Sequence, residues 1–170
     1  NAGETRVGNA RALGATGFAN RVTVASGATL DLRGQATAYG DDSDSFRKFI
    51  EIQGSGVNGT GALRNTSGTG TFSHLVLSGN ATLSGGGFAN GSRLDLAAYD
   101  INVNGGSSLD GNLTRLFPTL AGNGYELTVK GASQGGGVVL HQPTFTSALG
   151  KITVQEGILR LEMDAPVNSS

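Results

Sequence analysis

The apolar and polar positions of this chain alternate in short segments separated by glycine turns. One unit runs from Val22 to Leu32, where apolar residues recur at every second position on both sides of Gly27. A similar unit runs from Ile152 to Leu161 around Gly157. Alternation with a period of two is typical of a strand that buries one face, and glycine allows the backbone conformation of a tight turn. Each unit therefore predicts two strands joined by a turn.

Shorter versions of this alternating pattern occupy the interval between the two units. Most are followed within a few residues by Gly, Asn or Ser. The strands predicted there are Ile50–Ile52, Leu75–Leu77, Leu94–Leu96, Ile101–Val103, Leu127–Val129 and Val138–Leu140. Repetition of one strand and turn unit along a chain indicates a solenoid. With roughly 20 to 25 residues per coil, we predict an all-β parallel β-helix of about seven coils.

Two segments interrupt the repeat. Residues Tyr39 to Lys48 are polar and acidic, which indicates a loop that leaves the coil before Phe49 resumes it. Between Leu109 and Leu120 apolar residues recur at a three-to-four spacing, which is compatible with a short helix or a turn, although Pro118 excludes a long helix. We predict one β-helix segment over residues 1–163, with a loop inserted near 39–48, and a polar tail or linker over 164–170.

The composition supports the all-β interpretation. Glycine contributes 29 of the 170 residues, interleaved with Leu, Ile and Val at strand spacing, which favours turns over disorder. Aromatic residues make up only 6% and charged residues 15%, so the core must be aliphatic. A glycine inside a helix costs about 1 kcal/mol relative to alanine, which argues against helices in a chain this rich in glycine.

Charge and residue content exclude several functional classes. The net charge is −1 and no run of Lys or Arg occurs, so we expect no nucleic-acid partner. Without cysteine there is no disulfide, no thiolate nucleophile and no cysteine-based zinc site. No apolar stretch approaches the roughly 20 residues that cross a bilayer, so we expect no membrane insertion of this segment. The start at Asn1, without an initiator Met or a signal peptide, indicates a piece of a longer protein.

The acidic loop carries the candidate ligand-binding residues Asp41, Asp42, Asp44, Arg47 and Lys48. Carboxylate and hydroxyl oxygens in a loop suit Ca²⁺. The loop lacks the glycine and the distal glutamate of an EF-hand, however. We therefore predict no metal site and no cofactor, and we take the five residues as candidate contacts for a ligand such as a glycan.

The other polar residues predict no catalytic centre. A β-helix hydrolase needs two carboxylates roughly 5 to 9.5 Å apart, whereas the acidic residues outside the loop are scattered along the chain. Asp31 and Asp95 each stand between two leucines, so both are expected to face solvent. His74 and His141 are expected at surface or hydrogen-bonded positions, because two histidines without cysteine do not complete a zinc site. We predict no catalytic residues and no enzymatic activity.

The repeats resemble a known family. The stretches that carry the resemblance are Gly8–Gly14, Val22–Gln35, Gly124–Gly131, Val138–Leu140 and Gly150–Leu161, with spacer-like text in Gly54–Leu63 and Leu77–Leu83. They are similar to the autotransporter-associated β-strand repeat of bacterial passenger domains. The resemblance implies a right-handed parallel β-helix that is secreted, or displayed on the outer-membrane surface, by a Gram-negative bacterium. It also implies further coils or a translocator barrel of the same precursor as partners, although this sequence contains no such barrel.

Three functional hypotheses follow from these observations. We favour a non-catalytic structural or adhesive segment of a secreted or surface-displayed passenger protein, with a protein or glycan as its ligand. The first alternative is a carbohydrate-binding or carbohydrate-active β-helix that uses the 39–48 loop. The second alternative is a fragment that self-associates end to end, because the two end coils of a β-helix expose unpaired strand edges.

Overall fold

The computed structural model shows an all-β chain. It describes residues 3–37, 48–68, 70–85, 92–95, 101–104, 114–116, 118–130, 137–141 and 143–162. The helical segments in these ranges are short 3₁₀ turns at Phe18–Asn20 and Val57–Gly59. None of the helical segments just named is long and apolar enough to span a membrane.

Fifteen strands lie in the described ranges, and nearly all are three to six residues long. They are β1 (Glu4–Arg6), β2 (Val22–Val24), β3 (Thr29–Asp31), β4 (Phe49–Gly54), β5 (Leu63–Asn65), β6 (His74–Gly85), β7 (Ser92–Asp95), β8 (Ile101–Asn104), β9 (Thr114–Leu116), β10 (Pro118–Ala121), β11 (Glu126–Lys130), β12 (Gly137–His141), β13 (Thr144–Ser147), β14 (Lys151–Glu156) and β15 (Ile158–Glu162).

The strands form three parallel stacks, in which each strand pairs with strands of the neighbouring coils. The first stack contains β2, β4, the first half of β6, β7, β10 and β13. The second contains β1, β3, β5, the second half of β6, β8, β11 and β14. The third contains β9, β12 and β15. The predicted parallel β-helix is therefore confirmed.

Aliphatic residues form columns through the core of the solenoid. In the second stack Leu30 pairs with Leu63 and Leu63 pairs with Leu83, and all three are at most 3% exposed. In the first stack Ile50 pairs with Leu75, and both are fully buried. Burying one such side chain contributes roughly 1.5–3 kcal/mol. These columns therefore provide the main favourable contribution to the stacking of coils.

The strands that alternation predicts are confirmed to within one or two residues at their ends, except Leu75–Leu77, whose strand β6 continues to Gly85. The spacing between Leu109 and Leu120 left a short helix or a turn open, but over the described part of this segment the chain forms β9 and β10. Leu116 pairs in the third stack and Leu120 in the first. Their four-residue spacing thus spans the corner between two strands and does not mark a helical turn.

The number of coils differs from the prediction. The described residues amount to a solenoid of about four turns, not seven, although seven strands pair in the second stack and three in the third. The number of residues per coil varies. A hydrogen bond between coils joins Thr60 to Ser84, 24 residues apart, whereas another joins Asp31 to Thr66, 35 residues apart. The longer interval contains residues 39–47 of the predicted loop, which lie outside the described residues.

Candidate functional site

Lys48 is the predicted ligand contact that the structure describes, and its side chain points into the molecule. It is 1% exposed, and its Nζ donates hydrogen bonds to the backbone oxygens of Ala15 at 2.9 Å and Asn20 at 2.6 Å. Burial penalises the charged ammonium and lowers the pKa of Lys48 below its ordinary value. The side chain therefore joins residues 15–20 to the start of β4 through two hydrogen bonds. Ligand binding by Lys48 stays a prediction.

An aromatic cluster lies beside this position. The ring of Phe49 meets Phe18 edge-on at 5.4 Å between centroids, and it stacks on His74 at 4.5 Å. The guanidinium carbon of Arg21 lies 4.7 Å from the centre of the Phe18 ring, and its Nε donates to Glu51 Oε2 at 2.8 Å. Phe18 is 56% exposed. An aromatic ring, a cation and a carboxylate thus meet on the surface next to the point where the acidic loop joins β4.

His74 is buried. The sequence predicts either a surface position or a hydrogen-bonded one, and the surface position is wrong. Only 5% of the residue is exposed, and its ring packs on Phe49. His141 lies in β12, far along the chain from this cluster. The aromatic contact makes His74 part of the packing between β4 and β6.

The expectation that Asp31 faces solvent is wrong. The residue is 1% exposed, although Leu30 and Leu32 on either side of it do lie in the core. Its Oδ1 accepts hydrogen bonds from the backbone N–H of Arg33 at 3.1 Å and of Thr66 at 3.2 Å, and its Oδ2 accepts from the Thr66 hydroxyl at 2.7 Å. The turns after β3 and β5 cover the carboxylate, so it joins two coils.

An ionic network extends from Asp31 across the outside of the second stack. Arg64 Nε lies 3.7 Å from Asp31 Oδ2, and Arg64 Nη2 donates to Glu4 Oε1 at 2.9 Å. The same Glu4 oxygen accepts from Arg6 Nε at 2.6 Å. This bond to Arg6 is the main cause that lowers the pKa of Glu4, with Arg64 contributing further. The network links three successive strands, β1, β3 and β5.

Glu126 forms a second set of contacts between coils, near the other end of the chain. Its Oε1 accepts from the hydroxyls of Thr153 and Thr128, and the Lys151 Nζ lies 3.3 Å away. Hydrogen bonding from Thr153, followed by the bond and the charge of Lys151, lowers the pKa of Glu126. The carboxylate thus ties β11 to β14 in the same way that Asp31 ties its two coils.

The other predicted ligand contacts, Asp41, Asp42, Asp44 and Arg47, lie outside the described residues, as does the side chain of Asp95. Within the described part of the chain no group of three or more His, Asp or Glu is arranged to hold a metal ion. The prediction that these four residues and Lys48 contact one ligand therefore stays a prediction.

Sequence inspection missed the pairings of Glu4 with Arg64 and of Arg21 with Glu51. Glu4 and Arg64 are 60 residues apart along the chain, and Arg21 and Glu51 are 30 residues apart. The signal that was available is coil length, since charged residues of opposite sign about one or two coils apart fall on adjacent strands of a parallel stack. Comparison with known protein families, with characterised proteins and with solved structures finds no match to this chain.

Proposed function

We propose that this chain is a non-catalytic structural segment, a β-helix scaffold in a secreted or surface-displayed bacterial protein. The proposal rests on one observation: charged side chains of this chain form hydrogen bonds within the solenoid. Asp31, Lys48 and Glu126 each bind groups in another part of the solenoid. A charged side chain that is saturated by internal contacts contributes to stability, and its charge is screened from a substrate.

The resemblance of the repeats to those of autotransporter passenger domains supports the secreted or surface location. In such a protein the natural partners of this segment are further coils or a translocator barrel of the same precursor. A scaffold role also agrees with the aliphatic columns, which run through successive coils and give a stack whose shape depends little on any single side chain.

One observation favours carbohydrate binding as a second candidate. Phe18 exposes an aromatic ring beside Arg21, at the position where the acidic loop meets β4. Exposed aromatic rings next to charged loops are the platform that a glycan-binding groove requires. Residues Asp41, Asp42 and Asp44 would then supply hydrogen-bond acceptors for sugar hydroxyls.

A glycan array separates the two candidates. The chain is compared with a variant that carries Asp41→Ser, Asp42→Ser, Asp44→Ser and Arg47→Ser; Lys48 is retained because its side chain is buried. A scaffold predicts that neither protein retains a glycan and that both unfold at the same temperature. Binding by the parent chain that is lost in the variant, and also in Phe18→Ala, would contradict the scaffold role and assign a carbohydrate site.

A further inference from the structure

The last coil exposes apolar residues at positions that are buried in the coil before it. The exposed residues, each 43–56% accessible, are Phe145, Ile152, Val154 and Leu161. Their paired residues in the preceding coil, each at most 1% exposed, are Leu120, Leu127, Val129 and Leu140. Within the described residues the core columns therefore continue into β13, β14 and β15, where their apolar side chains are exposed.

The first coil presents a complementary surface at the opposite end. Among the described strands, β1 pairs only with β3 and β2 pairs only with β4, so each has one open edge. A cavity of about 230 Å³ lies between these first strands, and its apolar walls include Leu13, Val22, Val24 and Leu30. An apolar side chain that entered this cavity would extend the core by one more coil.

The pairing registers identify which residues would meet if a second copy continued the stack. Phe145 belongs to the column of Val22, through Ile50, Leu75, Leu94 and Leu120. Val154 belongs to the column of Thr5, through Leu30, Leu63, Leu83, Val103 and Val129. Val22 and Thr5 both line the cavity. The register used within the chain would thus place Phe145 of one copy over the cavity of the next.

The outward charges match in the same register. Arg6 pairs with Asp31 and Asp31 with Arg64, so this column alternates in sign at its N-terminal end. The same column reaches Glu156 in the last coil, by way of Ser84, Asn104 and Lys130. The Arg6 side chain is 62% exposed. A second copy would therefore place Glu156 against Arg6 and continue the alternation.

We propose that copies of this chain associate head to tail, with β13 and β14 of one copy on β2 and β1 of the next. The contact uses parallel strand pairing, the Phe145 side chain in the cavity, and the pair Glu156 with Arg6. Because the two surfaces differ, the contact is heterologous and does not close on itself, so it yields open-ended filaments. This inference concerns the chain of 170 residues and does not rest on the proposed scaffold role; within a longer precursor the same two surfaces would join this segment to further coils.

Sedimentation velocity of the 170-residue chain over a wide concentration range tests the contact. We expect the average mass to rise with concentration, and Phe145→Ser to weaken association at least about tenfold, since it removes the large apolar side chain that the contact buries. Phe18→Ser is the matched control, because Phe18 is 56% exposed, against 47% for Phe145, but lies outside these columns. A strict monomer at every concentration, or association that Phe145→Ser leaves unchanged, would overturn the proposal.

A charge reversal tests the register itself. Arg6→Glu and Glu156→Arg should each weaken association by about two- to fivefold, because each sets like charges against one another. An equimolar mixture of the two variants should associate like the parent chain, since every junction then joins opposite charges. Circular dichroism spectra that match the spectrum of the parent chain show that both variant folds are intact, even where the loss of the bond from Arg6 to Glu4 lowers the melting temperature of Arg6→Glu. A mixture that associates no better than either variant alone would reject this register.

Discussion

Three buried polar side chains of this solenoid, those of Thr29, Asp31 and Lys48, bind groups that lie far from them along the chain. The Thr29 hydroxyl donates to the backbone oxygen of Gly61 at 2.9 Å and accepts from the Val57 N–H at 2.8 Å. Lys48 and Asp31 follow the same rule with charged groups. A buried polar group without a partner costs about 1–3 kcal/mol, which explains why these residues are tolerated only where a partner is in reach.

Replacement of Lys48 tests its internal function. We expect Lys48→Met to lower the free energy of unfolding by about 1–3 kcal/mol, because the backbone oxygens of Ala15 and Asn20 lose their donor. Lys151→Met is the matched control, since the Lys151 side chain is 66% exposed and pairs with Glu126 at the surface. The control should stay within about 1 kcal/mol of the parent chain in urea unfolding. Equal effects of both substitutions would contradict an internal role for Lys48.

The short strands depend on glycine turns with little free space around them. Gly56 has a φ of 76°, and a Cβ built on it would lie 2.0 Å from the Gly61 backbone oxygen. Gly59 has nearly the same φ, 73°, but no atom lies within 4 Å of its Cβ position. Substituting alanine at Gly59 therefore measures the free-energy cost of the positive φ alone. The same substitution at Gly56 adds the cost of the steric clash.

These two glycines predict a graded effect on stability. Gly59→Ala should cost about 1–2 kcal/mol, because alanine opposes a positive φ. Gly56→Ala should cost another 1–3 kcal/mol or so, because the Gly61 backbone at the end of the same turn must also move away from the new Cβ. Thermal unfolding of both variants measures the difference. If Gly56→Ala were no worse than Gly59→Ala, the close approach of Gly56 to Gly61 within this turn would not hold in solution.

Periodicity predicted the strands well but could not predict what covers them. Alternation placed Leu30 and Leu32 in the core and Asp31 on the opposite face. It gave no sign that Thr66, one long coil later, would cover the carboxylate, because the distance between coils along the chain varies. The same uncertainty affected the coil count. Lys48 was assigned to a ligand site because it follows an acidic run, although its contacts depend on where segment 15–20 returns.

Across the whole molecule, carboxylates that link coils make stability depend on pH. Glu4 and Glu126 have pKa values below the ordinary one, so the unfolded chain binds protons at a higher pH than the folded chain. Their contribution is complete above the unfolded value of about 4.3 and is lost as the pH falls through the folded values. The Lys48 pKa is also lowered, which opposes folding at neutral pH and ceases to do so above about pH 10.4.

Melting temperatures across the acidic range test this linkage. We expect the melting temperature to fall as the pH is lowered below about 4.3, and to fall less steeply in Glu4→Gln and Glu126→Gln, which have lost one linked group each. Glu51→Gln is a suitable comparison, because Glu51 also pairs with an arginine, Arg21, at the surface. A slope that neither Glu4→Gln nor Glu126→Gln changes would show that these contacts do not report on folding.

The regular pairing of coils also makes length an adjustable property of this chain. Leu127 in β11 pairs with Ile152 in β14, 25 positions later, so residues 127–151 amount to one coil in sequence. A tandem duplication of that stretch would insert one coil and lengthen the stack by about 4.8 Å, the spacing of paired strands, while both end coils kept their sequence. Gene duplication can thus extend such a protein in equal steps, because each new coil copies the columns of the one before it.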